Sequence, residues 1–181
     1  NGGGAYPNDN KQASAADWAA LADAYTKAAI DASLDGSTIP PLWGTDAVHG
    51  HNNVYGATIF PHNIGLGAGN NATLVQAIGK ATATEVAATG IDWLFAPTVA
   101  VARDDRWGRS YESYSEDPAI VRSLGAALVR GIQGEPATLP KTRIATAKHY
   151  LGDGGTDAGK DQGNNSLSEA ELVRLHAQGY F

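Results

Sequence analysis

The feature that most constrains this sequence is an alternation. Segments with helical periodicity are separated by short apolar runs, "PLWGTDAV", "DWLFAPTVAV" and "IATAKHYLG", each bounded by Gly or Pro. Such runs suit strands buried on both faces, as in a parallel sheet. Between them Ser14 is predicted to cap a helix reaching about Leu34, with Trp18, Leu21, Ala22, Tyr25 and Ala29 on one face. A second helix is expected from Asn71 to Thr89, with Leu74, Val75, Ile78, Ala81 and Val86 facing inward. Asp117 followed by Pro118 is an N-cap with Pro at the first helical position, and Ile120, Leu124, Leu128 and Ile132 carry that helix to a stop at Gly134. A last helix opens at Ser168, with Glu169 and Glu171 in its first turn, and is expected to run on to Phe181. Asn1 to Ala13, rich in Gly and Asn, reads as a surface lead-in.

Alternating helices and apolar strands imply parallel pairing through right-handed crossovers, hence a doubly wound sheet or a β/α barrel. The polar clusters favour the barrel, because each run delivers its unusual residues at its C-terminal end: Asp46 and His49, then Arg103 to Arg109, then Lys148 and His149. That is the active face of such barrels. The expected fold class is therefore α/β: a partial (β/α)8 TIM-type barrel, first strands and helices only.

The net charge of −6 and the absence of any Lys/Arg run argue against nucleic acid and anionic membranes as partners. No stretch approaches the roughly 18 apolar residues that span a bilayer. Cysteine is absent, which excludes thiolate zinc sites and a Cys nucleophile. Methionine is absent as well, and the chain starts at Asn1, so a processed or partial chain is expected.

Each polar cluster admits a structural and a functional reading. The segment Arg103-Asp104-Asp105-Arg106-Trp107-Gly108-Arg109 could be a surface ion-pair network, or one guanidinium could orient hydroxyls or a carboxylate with its fixed donor fork. Lys148-His149 could be a snorkelling Lys beside a structural His, or a pair of donors aimed into a polar pocket. The "GDGG" that follows allows sharp turns and close ligand approach, but without a Gly-Lys-Ser/Thr ending it is not a phosphate loop. His49-Gly50-His51 could be two ligands of a metal-dependent hydrolase site, although no further well-placed ligand pair accompanies them.

Taken together and in order, "GTDAVHGHNNVYGATIFPHNIGLGA", "APTVAVARDDRWGRSYESYSEDP" and "AKHYLGDGGT" resemble glycoside hydrolase family 3, in its β-glucosidase and exo-β-glucan glucohydrolase branch. The resemblance covers nearly the whole chain. It implies that residues 1–181 are the N-terminal part of a barrel domain followed by an α/β sandwich, with a terminal glucose unit bound where the two meet. It further implies that Asp46 accepts hydrogen bonds from sugar hydroxyls, and that Arg109, Lys148 and His149 donate to the others. His49 and His51 then belong to the supporting loop. The family's loop usually has Pro where this chain has Asp105, which bears on the loop's stiffness. Asp161 or Gln162 is a candidate brace for the nucleophile.

The implied reaction is retaining hydrolysis of terminal β-D-glucosyl residues from β-glucosides or β-glucans, with no cofactor or metal and a secreted or periplasmic location. Oligomeric state, linkage preference and substrate length are left open. Retaining glycosidases use two carboxyl groups about 5 to 5.5 Å apart; the resemblance implies that the nucleophile Asp and the acid/base Glu both lie beyond residue 181. Asp17-Trp18 and Asp92-Trp93 imitate the nucleophile's dipeptide, but the first sits in a predicted helix and the second at the start of a strand. His176, on a helix expected to be exposed, is predicted to matter little. The alternatives are a non-catalytic carbohydrate-binding module and a metal-dependent barrel hydrolase using His49 and His51.

Overall fold

The computed structural model of the chain describes residues 6–134 and 143–181. The first five residues of the expected lead-in lie outside that range. Three short strands, β1 (Gly44–Thr45), β2 (Trp93–Leu94) and β3 (Ile144–Ala145), form a parallel sheet in the order β1-β2-β3. Six helices accompany them among the described residues: α1 (Ala15–Ala29), α2 (Ala32–Asp35), α3 (Asn63–Gly69), α4 (Ala72–Ala88), α5 (Pro118–Gln133) and α6 (Glu169–His176). The paired register is only two residues per strand, yet main-chain bonds prolong the contact. Phe95 N–H donates to Thr45 O at 2.9 Å, Thr146 N–H to Ala96 O at 2.8 Å and Lys148 N–H to Pro97 O at 3.0 Å.

The helix starts follow their side-chain chemistry. Ser14 and Asp17 form a reciprocal capping box at α1, Asn71 accepts from Leu74 N–H at α4, Asp117 accepts from Ala119 N–H ahead of Pro118, and Ser168 caps α6. The first predicted helix is two helices. Asp31 interrupts it by accepting from both the N–H and the hydroxyl of Ser33, which caps α2 anew. In α4 the buried face is Val75, Ile78, Gly79, Thr82, Ala83 and Val86, while Leu74 is 52% exposed, so the expected stripe is rotated slightly. The reason is the crossing with α5. A Cβ at Gly131 would lie 2.2 Å from Gln76 O, and one at Gly79 would lie 2.7 Å from Leu128 O, so the two backbones touch where neither residue has a side chain.

The second apolar run is the centre of the core. Ile91, Leu94, Ala96, Val99 and Val101 are buried against Val121, Leu124, Ala127, Leu128 and Ile132 of α5 and Val75, Ile78 and Val86 of α4. Each full burial of a Val, Leu or Ile contributes about 1.5–3 kcal/mol. The third run departs from the expectation of two buried faces: Ile144 is 46% exposed and stands outside the buried core cluster, against which Ala145 and Ala147 pack. α6 also ends earlier than expected, at His176, and passes into a 3-10 turn at Gln178–Tyr180.

Candidate functional site

Asp46, Arg109, Lys148 and His149 come from three segments that follow β1, β2 and β3, and they meet at the C-terminal end of the sheet. Lys148 Nζ donates to Asp46 Oδ1 at 2.7 Å, across 102 positions of sequence. Arg109 Nη2 lies 3.3 Å from His149 Nε2. The two pairs are joined through the chain at Lys148-His149, whose peptide bond is cis.

Main-chain and amide hydrogen bonds hold Lys148 and the backbone of Asp46 in place. Lys148 is fixed beside Thr98 by a parallel bridge, with Lys148 N–H on Pro97 O and Val99 N–H on Lys148 O at 2.8 Å. After β1, Asn53 Nδ2 donates to Asp46 O at 2.9 Å and to Thr45 Oγ1 at 3.1 Å, while Asn52 Oδ1 accepts from Val48 N–H at 3.2 Å. The amides in "GHNN" therefore hold the backbone that presents Asp46.

Two carboxylates that the sequence reading did not single out complete the arrangement. Glu112 grips Arg109 by a fork, Nε to Oε1 at 2.6 Å and Nη2 to Oε2 at 2.9 Å, and also accepts from Thr98 Oγ1 at 3.2 Å. Burial raises the Glu112 pKa, but hydrogen bonds and charge from Arg109, the Thr98 hydroxyl and the Lys148 charge outweigh it, so the net shift is downward. The same hydrogen bonds hold the Arg109 pKa above its ordinary value. Asn63 at the start of α3 donates to Glu112 O at 2.7 Å and to Thr98 O at 3.3 Å, tying α3 to this loop. Asp153 Oδ2 lies 2.7 Å from His149 Nδ1. The signal available in sequence was spacing alone: Glu112 is three residues after Arg109, and Asp153 four after His149.

The remaining candidates go elsewhere. Arg106 pairs with Asp104 on the surface, its side chain 70% exposed, which is the ion-pair reading of that part of the loop. Asp161 accepts from Trp107 Nε1 at 3.0 Å and so braces the buried indole of the arginine loop; Gln162 is exposed. Asp17 belongs to the α1 capping box, and Asp92 precedes β2 with Arg143 3.9 Å away.

His49 and His51 diverge. His49 Nδ1 is 3.0 Å from Phe60 O and its ring stacks on His62, with centroids 3.9 Å apart. His51 is buried with Nε2 on Thr89 Oγ1 at 3.0 Å, and burial lowers its pKa to about 4. Among the described residues no group of three or more His, Asp or Glu is placed to hold a metal ion. His176 corrects an expectation, since it is 2% exposed, not on an exposed surface. Its ring fills the space over Gly155, where a Cβ would meet Nε2 at 2.4 Å, and burial lowers its pKa.

What the cluster offers is unspent hydrogen-bonding capacity in both senses. Asp46 keeps one carboxylate oxygen, Lys148 keeps ammonium protons, and Arg109 keeps Nη1, none of them bonded to another described residue. A neutral ligand with several adjacent hydroxyls matches that set. The His149 role needs revising: with Asp153 on one nitrogen and a guanidinium on the other, the imidazole does not stand ready as a donor at Nε2. A concavity of about 460 Å³ lies beside Arg103, Asp105 and Ser110 and includes none of the four residues. A smaller one, about 160 Å³, adjoins His149 and Asp153. Side-chain chemistry, not cavity size, identifies the site.

The chain is similar to several known proteins. A lysosomal beta glucosidase of Dictyostelium discoideum is 39% identical over 142 residues, covering 75% of this chain and 17% of that protein. A periplasmic beta-glucosidase of Salmonella typhimurium is 31% identical over 142 residues, covering 78% and 18% respectively. Proteins named as xylosidases match as well. The crystal structure of an exo-1,3/1,4-beta-glucanase from a Pseudoalteromonas species superposes with a TM-score of 0.96 at 57% identity, covering 99% of this chain and 23% of that one. The chain thus spans less than a quarter of the length of each of these three proteins. The family model described as "Glycosyl hydrolase family 3 N terminal domain" matches residues 4–181. With that match over nearly its whole length, the chain belongs to glycosyl hydrolase family 3.

Proposed function

We propose that this chain is the N-terminal part of a retaining, exo-acting β-glucosidase or β-glucan glucohydrolase, and that Asp46, Arg109, Lys148 and His149 form part of its glucose-binding pocket. One observation carries the reading: residues from three separate strand ends converge, at 2.7 and 3.3 Å, into a set with a free acceptor and free cationic donors. Asp46 accepts from sugar hydroxyls, while Lys148 and Arg109 Nη1 donate to sugar oxygens. The sheet is then the opening of a (β/α)8-type barrel whose later strands follow residue 181. The nucleophile Asp and the acid/base Glu lie beyond that residue, about 5 to 5.5 Å apart as a retaining mechanism requires. Paired carboxyls suffice for the chemistry, so neither metal nor organic cofactor is required. The names of the lysosomal and periplasmic relatives support a secreted or periplasmic location.

The deciding experiment measures kcat/KM of the full-length protein on 4-nitrophenyl β-glucoside, 4-nitrophenyl β-xyloside and a β-1,3-glucan oligosaccharide. Preference for the glucoside and release of glucose from the non-reducing end support the reading. Preference for the xyloside would favour the activity after which other relatives are named. Activity lost in a chelator and restored by zinc would point back to the metal alternative at His49 and His51. No turnover of any glycoside, with sugar binding intact, would leave the carbohydrate-binding module.

A further inference from the structure

The His149 imidazole is clamped between two groups of opposite hydrogen-bonding sense. Asp153 Oδ2 stands 2.7 Å from Nδ1, and Arg109 Nη2 stands 3.3 Å from Nε2. A carboxylate only accepts, so Nδ1 carries the proton. A guanidinium only donates, so Nε2 presents its lone pair. One ring form meets both demands: the neutral Nδ1–H tautomer. Neither clamp is free to rotate away. Arg109 is forked onto Glu112, which is 8% exposed. The Asp153 side chain is 11% exposed. Its turn, Asp153–Gly155, is pinned to the second apolar run by Arg103 N–H on Gly154 O at 2.8 Å, and a Cβ at Gly154 would lie 2.3 Å from Val101 O.

We infer that Asp153 is a positioning residue that, by fixing His149 as the Nδ1–H tautomer, makes Nε2 the acceptor for Arg109 Nη2 and so holds the guanidinium with Nη1 left for a sugar oxygen. This rests on the sugar-pocket reading above and deepens it. The pocket then offers the Asp46 carboxylate to hydroxyl protons, beside two oriented cations, Lys148 and Arg109, that donate to hydroxyl oxygens. A vicinal diol supplies both senses. With the proton on Nε2 instead, two N–H groups would face each other and Arg109 would be turned out of this position.

The test uses the full-length protein with histidine labelled by 15N in the ring, ligand-free at neutral pH, the His149 signals being those lost in His149→Asn. Nδ1 is expected to resonate as a protonated nitrogen and Nε2 as an unprotonated one. The reverse pattern, or two protonated nitrogens, overturns the inference whatever the enzyme hydrolyses. In Asp153→Leu, which removes the acceptor while keeping the branch at Cγ, the Nδ1–H form is expected to lose its dominance and an Nε2–H form to appear as Arg109 Nη2 turns away. KM for an aryl β-glucoside is expected to rise about tenfold, the equivalent of one hydrogen bond, with a smaller change in kcat. An unchanged tautomer in Asp153→Leu also overturns the inference. The wild-type tautomer together with no glycosidase activity would instead sink the functional proposal and leave the role of Asp153 toward His149 standing.

Discussion

Replacing Asp46 with Ala removes two things at once. The pocket loses the free carboxylate oxygen that would accept from a sugar hydroxyl, and Lys148 Nζ, 2.7 Å away on a side chain only 14% exposed, loses its counter-charge. A charge-assisted hydrogen bond together with a poorly solvated, unpaired partner amounts to about 2–4 kcal/mol of transition-state stabilisation, or about 30- to 900-fold in kcat/KM. The assay is nitrophenol release from 4-nitrophenyl β-glucoside by the full-length protein. The control is Arg106→Ala, since the Arg106 side chain is 70% exposed and pairs with neighbouring Asp104 on the surface; its effect should stay within about twofold. His176 would be the wrong control, because its ring is buried over Gly155 and its loss would disturb the turn that carries Asp153. Comparable losses at Asp46 and Arg106 would refute the reasoning.

His51 should make the fold sensitive to mild acid. Its folded pKa is about 4 against 6.5 for the free group, so the unfolded chain binds the extra proton between those values. The stabilisation is complete above pH 6.5 and is lost as pH falls toward 4. About 2 kcal/mol should disappear between pH 7 and pH 5, visible as a fall in Tm that His51→Gln reduces; an identical pH profile in the variant contradicts this. Gly131→Ala should cost about 1–3 kcal/mol by forcing α4 and α5 apart, and an unchanged Tm would show that the crossing yields freely. Residues 1–181 expressed alone should neither melt cooperatively as a monomer nor hydrolyse an aryl β-glucoside, since β3 leaves an open edge with Ile144 exposed. A cooperative monomer melt, or turnover above a buffer blank, would contradict the corresponding half.

The helix starts were legible because their causes are local: Ser14 with Asp17, Asn71, Asp117 with Pro118, and Ser168 each satisfy backbone donors within three residues. Helix α3 was not. "NIGLGAG" has poor intrinsic helix propensity, and its anchors are distant: Asn63 on Glu112 O, and Gly67 against Tyr114 O, where a Cβ would lie 1.6 Å away. Asp46, Arg109, Lys148 and His149 were found through motif resemblance, and the fold brings them together. Glu112 and Asp153 escaped because acidic residues in polar loops are usually solvated, and only tertiary placement shows them bonded to Arg109 and His149. His176 misled for the opposite reason: a His in the last turn of a polar helix gives no sign of the space that Gly155 leaves for its ring.

The most direct test of the central claim is a crystal structure of the full-length protein with glucose bound. The sugar is expected at the C-terminal end of β1–β3, with a hydroxyl pair within hydrogen-bonding distance of Asp46, and with Lys148 and Arg109 Nη1 each holding a sugar oxygen while Arg109 Nη2 stays on His149 Nε2. Glucose bound elsewhere, with the Asp46–Lys148 and Arg109–His149 pairs unchanged and touching no sugar atom, would contradict it.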